Sequence, residues 1–361
     1  MKKIILIIVL IILAGVGGRV FWTYKQKNTT EQQAPVTSQT KTIPSGTVLG
    51  TYSVNDGEDA VFDPSTGSVW VANIFSNSIQ KFNASSGVLL GTYTVDSPLK
   101  IAFDSFSKSI WVASNGSILS KINPTNGSVI GKYALDDKKV GFISELVFNS
   151  LDHSLWVTSI MSGGYEEDSI VRIDVSTGAV HATYPFGYNA TDAAFDVSSN
   201  SIWVSHPGFI NTKGKEKNGL SKLDTNTGIV SDTYFTGSEN SYPSSVTFDS
   251  LTNSIWVANG DMDVYEGSFP SNTVSKINAE SGAIVGTYTV AGNPVNIEFD
   301  LATGSIWVVS DKEVVQINAK NGDLIGKYAL GINLRKIIFD QQTGTAWVID
   351  RTAKKLIKIK S

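Results

Sequence analysis

The 361-residue sequence contains no cysteine and only three histidines. The absence of cysteine excludes disulfides, thiolate metal sites, a cysteine nucleophile and a lipid-modified cysteine anchor. The histidines, His153, His181 and His206, leave little material for a multi-histidine metal centre. Charged residues form 17% of the chain, below the roughly 25% of typical globular proteins, whereas aromatic residues form 10%. This composition excludes a wholly disordered chain.

Residues 1–24 have the composition of a signal peptide or a membrane anchor. Two lysines precede an apolar run, Ile4–Gly18, which is the arrangement of a secretory signal. As a helix this run is about 22 Å long, shorter than the roughly 30 Å hydrocarbon core of a bilayer. Val20–Tyr24 can extend it into the interface. We therefore expect either a cleaved signal or a single-pass anchor formed by residues 4–24.

Residues 25–44 are mostly polar and show no apolar period, which predicts a disordered linker. No later segment approaches the length of a membrane span. We therefore expect residues 45–361 to lie outside the cytoplasm, in the periplasm or at the cell surface, tethered to the membrane. Residues 1–44 carry a basic excess, so the remainder is net acidic. That charge argues against nucleic acid as a partner.

Three aromatic ladders divide the remainder into seven repeats. In each repeat a Phe precedes a Trp by eight residues, and a Tyr recurs with the same period. The Trp residues are Trp70, Trp111, Trp156, Trp203, Trp256, Trp307 and Trp347. Their spacing averages about 46 residues, close to that of a four-stranded propeller blade. Each repeat holds four short β signals and no sustained helical period. The sequence thus predicts an all-β, seven-bladed β-propeller over residues 45–361.

The Tyr ladder is out of phase with the other two. Tyr52 precedes the first Phe–Trp pair, and no Tyr follows Trp347. The last repeat ends at Leu356–Ile359, which has the pattern of a third strand. We therefore expect Thr47–Val54 to supply the fourth strand of the last blade, which would close the ring and protect its edges.

The repeats carry recognisable motifs: Trp-Val-Ala-Asn at 70–73 and 256–259, Ser-Asn-Thr-Val-Ser-Lys-Ile-Asn at 271–278, and Ser-Gly-Ala-Ile-Val-Gly-Thr-Tyr at 281–288. With these motifs the chain resembles the YVTN-type β-propeller family of bacterial surface and periplasmic proteins. Trp replaces the usual Tyr of that family in the second strand, a feature that also resembles the streptogramin lyases. The lyase resemblance implies a metal site of histidine and carboxylates over the channel, for which His206 is the histidine in a predicted upper loop.

Three consecutive repeats have long connections between the second and third strands, at about 159–169, 206–219 and 259–272. Long loops on a rigid scaffold are often functional, and aromatic residues beside acids suit a peptide, a glycan or a cationic partner. The alternative is a surface insertion without function. The candidate binding residues are Tyr165, Glu166, Glu167, Asp168, Phe209, Asp261, Asp263, Tyr265, Glu266 and Phe269. Asn259, Asp261, Asp263 and Glu266 also form a weak candidate site for Ca²⁺.

A second candidate site is a ring of residues three positions before each ladder Phe, where the first strands enter the channel. It consists of Asp59, Lys100, Glu145, Asp192, Ser245, Asn296 and Lys336. Glu298 lies nearby, at a position that is uncharged in other repeats. The ring could bind a divalent ion such as Ca²⁺ or Mg²⁺, or a small ligand, or it could be a water-filled polar lining. Adjacent acids such as Glu145 and Asp192 can also raise one carboxyl pKa.

We therefore expect a monomeric, non-catalytic binding module without a cofactor, whose partner is a protein, peptide or glycan of the cell envelope. The alternative is a metal-dependent lyase or lactone hydrolase whose site at the channel mouth uses Glu145, Asp192, Asn296 and His206.

Overall fold

In a computed structural model of the protein, the chain forms seven four-stranded antiparallel sheets, or blades, and one short hairpin. The predicted all-β, seven-bladed propeller with four-stranded blades is confirmed. The structure describes residues 43–136, 139–160, 169–186, 189–206, 210–211, 214–215, 219–236, 242–260 and 272–361. The predicted signal or anchor, residues 1–24, lies outside these residues. Among the residues that are described, no helix is long and apolar enough to span a membrane.

The strands of blades 1–3 are β2 to β13: Gly57–Asp63, Ser68–Asn73, Ser78–Asn83 and Leu89–Thr94; Pro98–Asp104, Ser109–Ser114, Ile118–Ile122 and Val129–Ala134; Phe142–Asn149, Ser154–Ile160, Ser169–Asp174 and Val180–Pro185. Blade 4 contains β14, β15, β18 and β19: Asp192–Asp196, Ser201–His206, Gly219–Asp224 and Val230–Tyr234. Between β15 and β18 lies the hairpin β16–β17, Ile210–Asn211 and Gly214–Lys215.

Blades 5 and 6 contain β20 to β27: Tyr242–Asp249, Ser254–Gly260, Thr273–Asn278 and Ile284–Thr289; Pro294–Asp300, Ser305–Ser310, Glu313–Asn318 and Leu324–Ala329. Blade 7 contains β28, β29 and β30, Leu334–Asp340, Thr345–Asp350 and Lys355–Lys360, together with β1, Val48–Ser53. The strand predicted at Thr47–Val54 is β1, and it pairs antiparallel with β30 from Val48–Ile359 to Ser53–Lys355.

The first strand of each blade contacts the first strands of its two neighbours, and β28 contacts β2, so these seven strands surround a central channel. The second strands lie between neighbouring blades and are buried, apart from Ile160 at the end of β11. Burial on both faces explains why they are continuous runs of Ile, Val, Trp and Ala. The seven ladder Trp side chains are fully buried. The centroid of each Trp ring lies 5.3 to 5.7 Å from the ring centroid of the ladder Tyr in the same blade.

A cationic side chain on the third strand covers the Trp ring in six blades. These residues are Lys81, Lys121, Arg172, Lys222, Lys276 and Lys358. Each also donates a hydrogen bond to a backbone carbonyl of the next blade, as Lys276 does to Ala319 at 2.6 Å. In blade 6 this position is Gln316, which accepts a hydrogen bond from Ser45 near the start of the described chain. The cation thus joins neighbouring blades in addition to covering an aromatic ring.

Candidate functional site

Two cavities lie along the central channel. The wider one has a volume of about 560 Å³ and is lined largely by first-strand side chains, among them the ladder residues Phe62, Phe103 and Phe148. The narrower one has a volume of about 140 Å³, and most of its lining side chains are polar or charged. The wider cavity thus combines apolar side chains with charged ones such as Glu298 and Lys336, whereas the narrower cavity, which we call the polar section, is mainly polar.

The polar section is lined by all seven residues of the predicted ring, which we call the ring residues: Asp59, Lys100, Glu145, Asp192, Ser245, Asn296 and Lys336. In six of the first strands the pairing register with the second strand shifts at, or directly before, the ring residue. A β-bulge of this kind bends the strand and re-aims a side chain. The bulges thus help to direct the ring residues towards the axis.

The ring residues also accept hydrogen bonds from the inner edges of the blades. A first strand is an edge strand, so the backbone N–H that follows each ring residue needs an acceptor outside the sheet. An oxygen of the ring accepts each of these seven hydrogen bonds at 2.9 to 3.2 Å. Asp59 accepts from Ala60 and Ile101, Asp192 from Ala193 and Val246, Glu145 from Leu146, Ser245 from Ile297, and Asn296 from Ile337. Four of these bonds cross between blades, so the ring links neighbouring inner strands.

Two lysines neutralise part of the negative charge. Lys100 donates to Glu145 at 3.1 Å, and Lys336 donates to Glu298 at 2.8 Å. Both lysines also act on Asp59, whose pKa is raised by burial although the two cations oppose this effect. The structure therefore places Glu298 beside the ring, in an ion pair within the channel.

Glu145 and Asp192 have different proton affinities although they are neighbours. Burial and the charge of Glu145 raise the pKa of Asp192 to about 7. Burial acts to raise the pKa of Glu145 as well, but Lys100 and Lys336 outweigh it and hold that pKa below its usual value. A carboxyl that titrates near neutral pH beside one that stays ionised is the arrangement used in general acid–base catalysis. Asp192 can thus hold and exchange a proton near pH 7.

The raised pKa of Asp192 predicts a pH-dependent stability. In the unfolded chain Asp192 loses its proton near pH 4, whereas in the fold it keeps the proton to about pH 7. The folded state therefore binds more protons in this window, and raising the pH from about 4 to about 7 destabilises it. We expect Asp192→Asn to reduce that fall in thermal stability, because Asn does not titrate. Unfolding temperatures measured at intervals from pH 4 to pH 8 test this.

The quantity to compare is the slope of unfolding temperature against pH. The Asp192→Asn variant also lacks one of the two oxygens that accept backbone hydrogen bonds, so it is expected to be less stable at every pH. Glu145, Lys100 and Lys336 face Asp192 and are retained in the variant. Asp96→Asn, whose side chain is largely exposed, is the control and should leave the slope unchanged. An unchanged slope in Asp192→Asn would contradict the assignment.

His206 lies apart from the ring. It is the last residue of β15 and is fully buried, with its Nε2 3.0 Å from the hydroxyl oxygen of Ser221 and its ring edge-on to Phe186. Burial lowers the pKa of His206 to about 4. It is not among the residues that line either channel cavity. The structure thus places His206 at the end of β15 with its side chain within the blade, and does not bring it together with Glu145 in the channel.

The predicted loop residues lie outside the described part of the chain: Tyr165, Glu166, Glu167, Asp168, Phe209, Asp261, Asp263, Tyr265, Glu266 and Phe269. The strand ends that carry these loops are described, and they belong to blades 3, 4 and 5, which are consecutive. Asn259, from the weak Ca²⁺ candidate, donates from its side chain to Ser275 at 2.9 Å. No group of three His, Asp or Glu side chains within the described ranges could hold a metal ion.

A second asymmetry at blades 3 to 5, in the connections between blades, was not predicted from the sequence. The connections that lead from a fourth strand into the next blade lie on the same face as these loops. Those that enter blades 3, 4 and 5 comprise residues 135–141, 186–191 and 235–241. The corresponding connections elsewhere are short, as at residues 95–97. The spacing between Tyr and the next Phe carries this signal for blades 3 and 5, at 15 and 14 residues, whereas the 11 residues that lead into blade 4 match the spacing of blades 6 and 7.

Comparisons with known proteins support the architecture only. No protein-family model matches the chain, and no curated protein matches it in sequence. Among solved structures the chain is similar to a chain of Kuenenia stuttgartiensis hydrazine synthase, with a TM-score of 0.71 and 13% identity over 89% of this chain and 99% of that one. At this identity the similarity shows a shared propeller fold and nothing about activity. It does not establish membership of the YVTN family.

Proposed function

We propose that the protein is an exported, membrane-tethered propeller that binds a protein, peptide or glycan of the cell envelope without catalysing a reaction. In this proposal residues 4–24 anchor a monomer, and residues 45–361 lie outside the cytoplasm. The observation that carries the proposal is the asymmetry of one face. A ligand site needs residues that differ between blades, and both kinds of connection on this face are longest at blades 3 to 5.

The ring residues support a non-catalytic reading of the channel. Their carboxylate, amide and hydroxyl oxygens hold the inner edges of the blades through seven backbone hydrogen bonds. A residue that a fold uses in this way has a structural reason to be where it is. The loops of blades 3 to 5, by contrast, are additions to the repeat.

Screening the protein on peptide and glycan arrays tests the binding proposal. We expect the double variant Tyr265→Ala/Phe269→Ala to bind the ligand identified on the array with an affinity at least about tenfold lower, because aromatic anchors carry much of the binding energy of a site. Phe75→Ala is the matched control, since Phe75 is an aromatic residue on a blade 1 loop of the same face and is 72% exposed. Binding that survives the double variant, or that is lost equally in the control, would reject the loop assignment.

A second candidate function is an enzyme that acts at the channel mouth, a metal-dependent lyase or lactone hydrolase. The pKa of about 7 at Asp192 favours the enzyme, because a general acid works best when its pKa lies near the pH of the reaction. Elemental analysis of protein purified without chelators separates the two proposals. The binding module is expected to contain no stoichiometric divalent metal. A stoichiometric metal that is lost in Glu145→Ala would instead support the enzyme.

We infer further that residues 43–53 close the ring of blades. The turn between the third and fourth strands of blade 7 is divided between the two ends of the described chain. The N–H of Gly46 donates to the carbonyl of Lys360 at 2.8 Å, as the N–H of Gly282 donates to that of Asn278 at 2.8 Å in blade 5. Residues far apart in sequence thus make a turn of the same kind.

A further inference from the structure

One face of the propeller consists of tight turns, and we call it the turn face. It contains the connections between first and second strands and those between third and fourth strands. Backbone hydrogen bonds join the two kinds of turn within a blade, for example from Ala279 to Asn253 at 3.1 Å and from Ala319 to Gly304 at 3.1 Å. The long loops of blades 3 to 5 leave the opposite face.

The turn face presents large apolar side chains around the channel. Five of its seven first-to-second-strand turns carry one, and each side chain is about half exposed, between 45% and 60%. They are Phe106, Leu151, Val197, Leu251 and Leu301. Exposed apolar residues that recur around a face, rather than singly, mark an interaction surface.

A second set of exposed apolar residues surrounds the rim beside this face. Each fourth strand begins next to the turn face, and in every blade at least one exposed aliphatic residue lies in its first two positions or directly before it. Examples are Val48, Leu89, Ile130, Val180, Ile229, Val285 and Ile325. The apolar surface is therefore distributed around the whole circumference. A protein partner on one side would need a concentrated patch, whereas a planar lipid surface contacts all seven blades together.

Little charge opposes such a contact. The residues of the turns are mainly Ser, Thr, Asn and Gly, and the charged ones in the described turns are Lys108, Asp152, Glu280, Lys320 and Asp323. Asp174 and Asp224, at the strand ends beside two of the turns, accept hydrogen bonds from the turn backbone. Asp152 is paired with Arg172 at 2.6 Å. A surface of small polar and aliphatic residues can approach lipid headgroups with little desolvation of charge.

The polypeptide also joins the propeller on this face. Ile43 to Gly46 lead into the blade 7 turn, where Gly46 hydrogen-bonds to Lys360. The tether in the proposed function, residues 4–24 with the linker 25–44, therefore connects to the turn face. We propose that the turn face rests on the lipid surface that holds this tether, so that the loops of blades 3 to 5 point away from the membrane. This inference rests on the proposed membrane tether.

Site-specific labelling of the full-length chain in phosphatidylcholine nanodiscs tests the orientation. The absence of cysteine allows single reporters to be introduced without removing native thiols. Ser150→Cys and Ser250→Cys place an environment-sensitive fluorophore on the turn face, and Asn115→Cys and Lys312→Cys place it on the opposite face. With nitroxide-labelled lipid in the disc, we expect the two turn-face probes to be quenched at least about twofold more than the other two.

Removing the apolar side chains provides the matched control. Leu151→Ser/Leu251→Ser/Leu301→Ser should abolish the difference in quenching while leaving the thermal stability little changed, because these residues are exposed. Phe75→Ser/Ile332→Ser, which changes exposed apolar residues of the opposite face, should preserve the difference. Co-elution of the chain with nanodiscs but equal quenching on the two faces would overturn the orientation alone. A chain that does not co-elute would overturn the tether and the orientation together.

Discussion

Deleting residues 43–54 is expected to prevent folding or to lower the unfolding free energy by at least about 5 kcal/mol. The deletion removes β1, whose hydrogen bonds along β30 each contribute about 1 kcal/mol. It also uncovers Trp347, on which Tyr52 packs with ring centroids 5.5 Å apart. For a domain of this size such a loss corresponds to a fall in Tm of roughly 7 °C or more.

The start of the segment contributes as well as the strand. In other blades a ladder Tyr packs on the turn glycine of the next blade, as Tyr234 does on Gly282. Tyr328 of blade 6 packs in the same way on Gly46, which has a φ of +76°. A side chain at Gly46 would collide with the Tyr328 ring and strain the backbone. The deletion therefore exposes surfaces of both blade 7 and blade 6.

Thermal unfolding followed by circular dichroism measures the effect of the deletion. The control is a chain that lacks only residues 1–42, which should unfold at the temperature of the full-length protein if the propeller begins at residue 43. Equal unfolding temperatures for the two truncated chains would show that β1 does not hold the ring together. The role proposed for residues 43–53 would then be wrong.

Asp59→Ala is expected to lower the unfolding free energy by about 3–5 kcal/mol. The carboxylate accepts hydrogen bonds from the backbone N–H groups of Ala60 at 2.9 Å and Ile101 at 3.0 Å. Alanine leaves both donors without that acceptor. It also removes a negative charge that acts on Lys100 and Lys336 in the buried channel.

Chemical denaturation of the wild-type protein, Asp59→Ala and Asp59→Asn measures this effect. Asn keeps one acceptor oxygen, so the stability of Asp59→Asn should lie between that of the wild type and that of Asp59→Ala. Asp96→Ala is the control, because Asp96 is exposed and its ion pair with Lys132, at 3.9 Å, faces solvent. We expect its unfolding free energy to change by less than about 0.5 kcal/mol. Stability that Asp59→Ala leaves unchanged would contradict the structural role of the ring.

The architecture could be predicted because it depends on periodicity. The Phe, Trp and Tyr ladders recur once per blade, and the phase of Tyr52 relative to Trp70 predicts that the first strand belongs to the last repeat. The ring residues could also be located, since three positions before each ladder Phe is a constant offset along a strand. Repetition makes these features local, so that one repeat predicts the next.

The chemistry at the ring could not be predicted in the same way. Asp192 accepts from Val246, which is far away in sequence, and its pKa depends on burial and on Glu145 in the neighbouring blade. From the sequence, the ring could be a water-filled lining or a metal site, and its role as acceptor for inner-strand N–H groups was not predicted. The end of β15 at His206 could not be predicted either, because a strand end cannot be separated from a loop by residue type when the loop that follows is long.

The all-β class and the number of blades follow from the sequence alone, because apolar and aromatic periodicity reports which residues must be buried. The fold in three dimensions was needed to show which oxygen accepts from which N–H in the channel, and which lysine neutralises which acid. It also showed that the turns, the apolar rim and the entry of the chain share one face. These contacts join residues of different blades. Hydrogen bonds and charge interactions depend on distances in space, and the separation of two residues along the sequence does not give those distances.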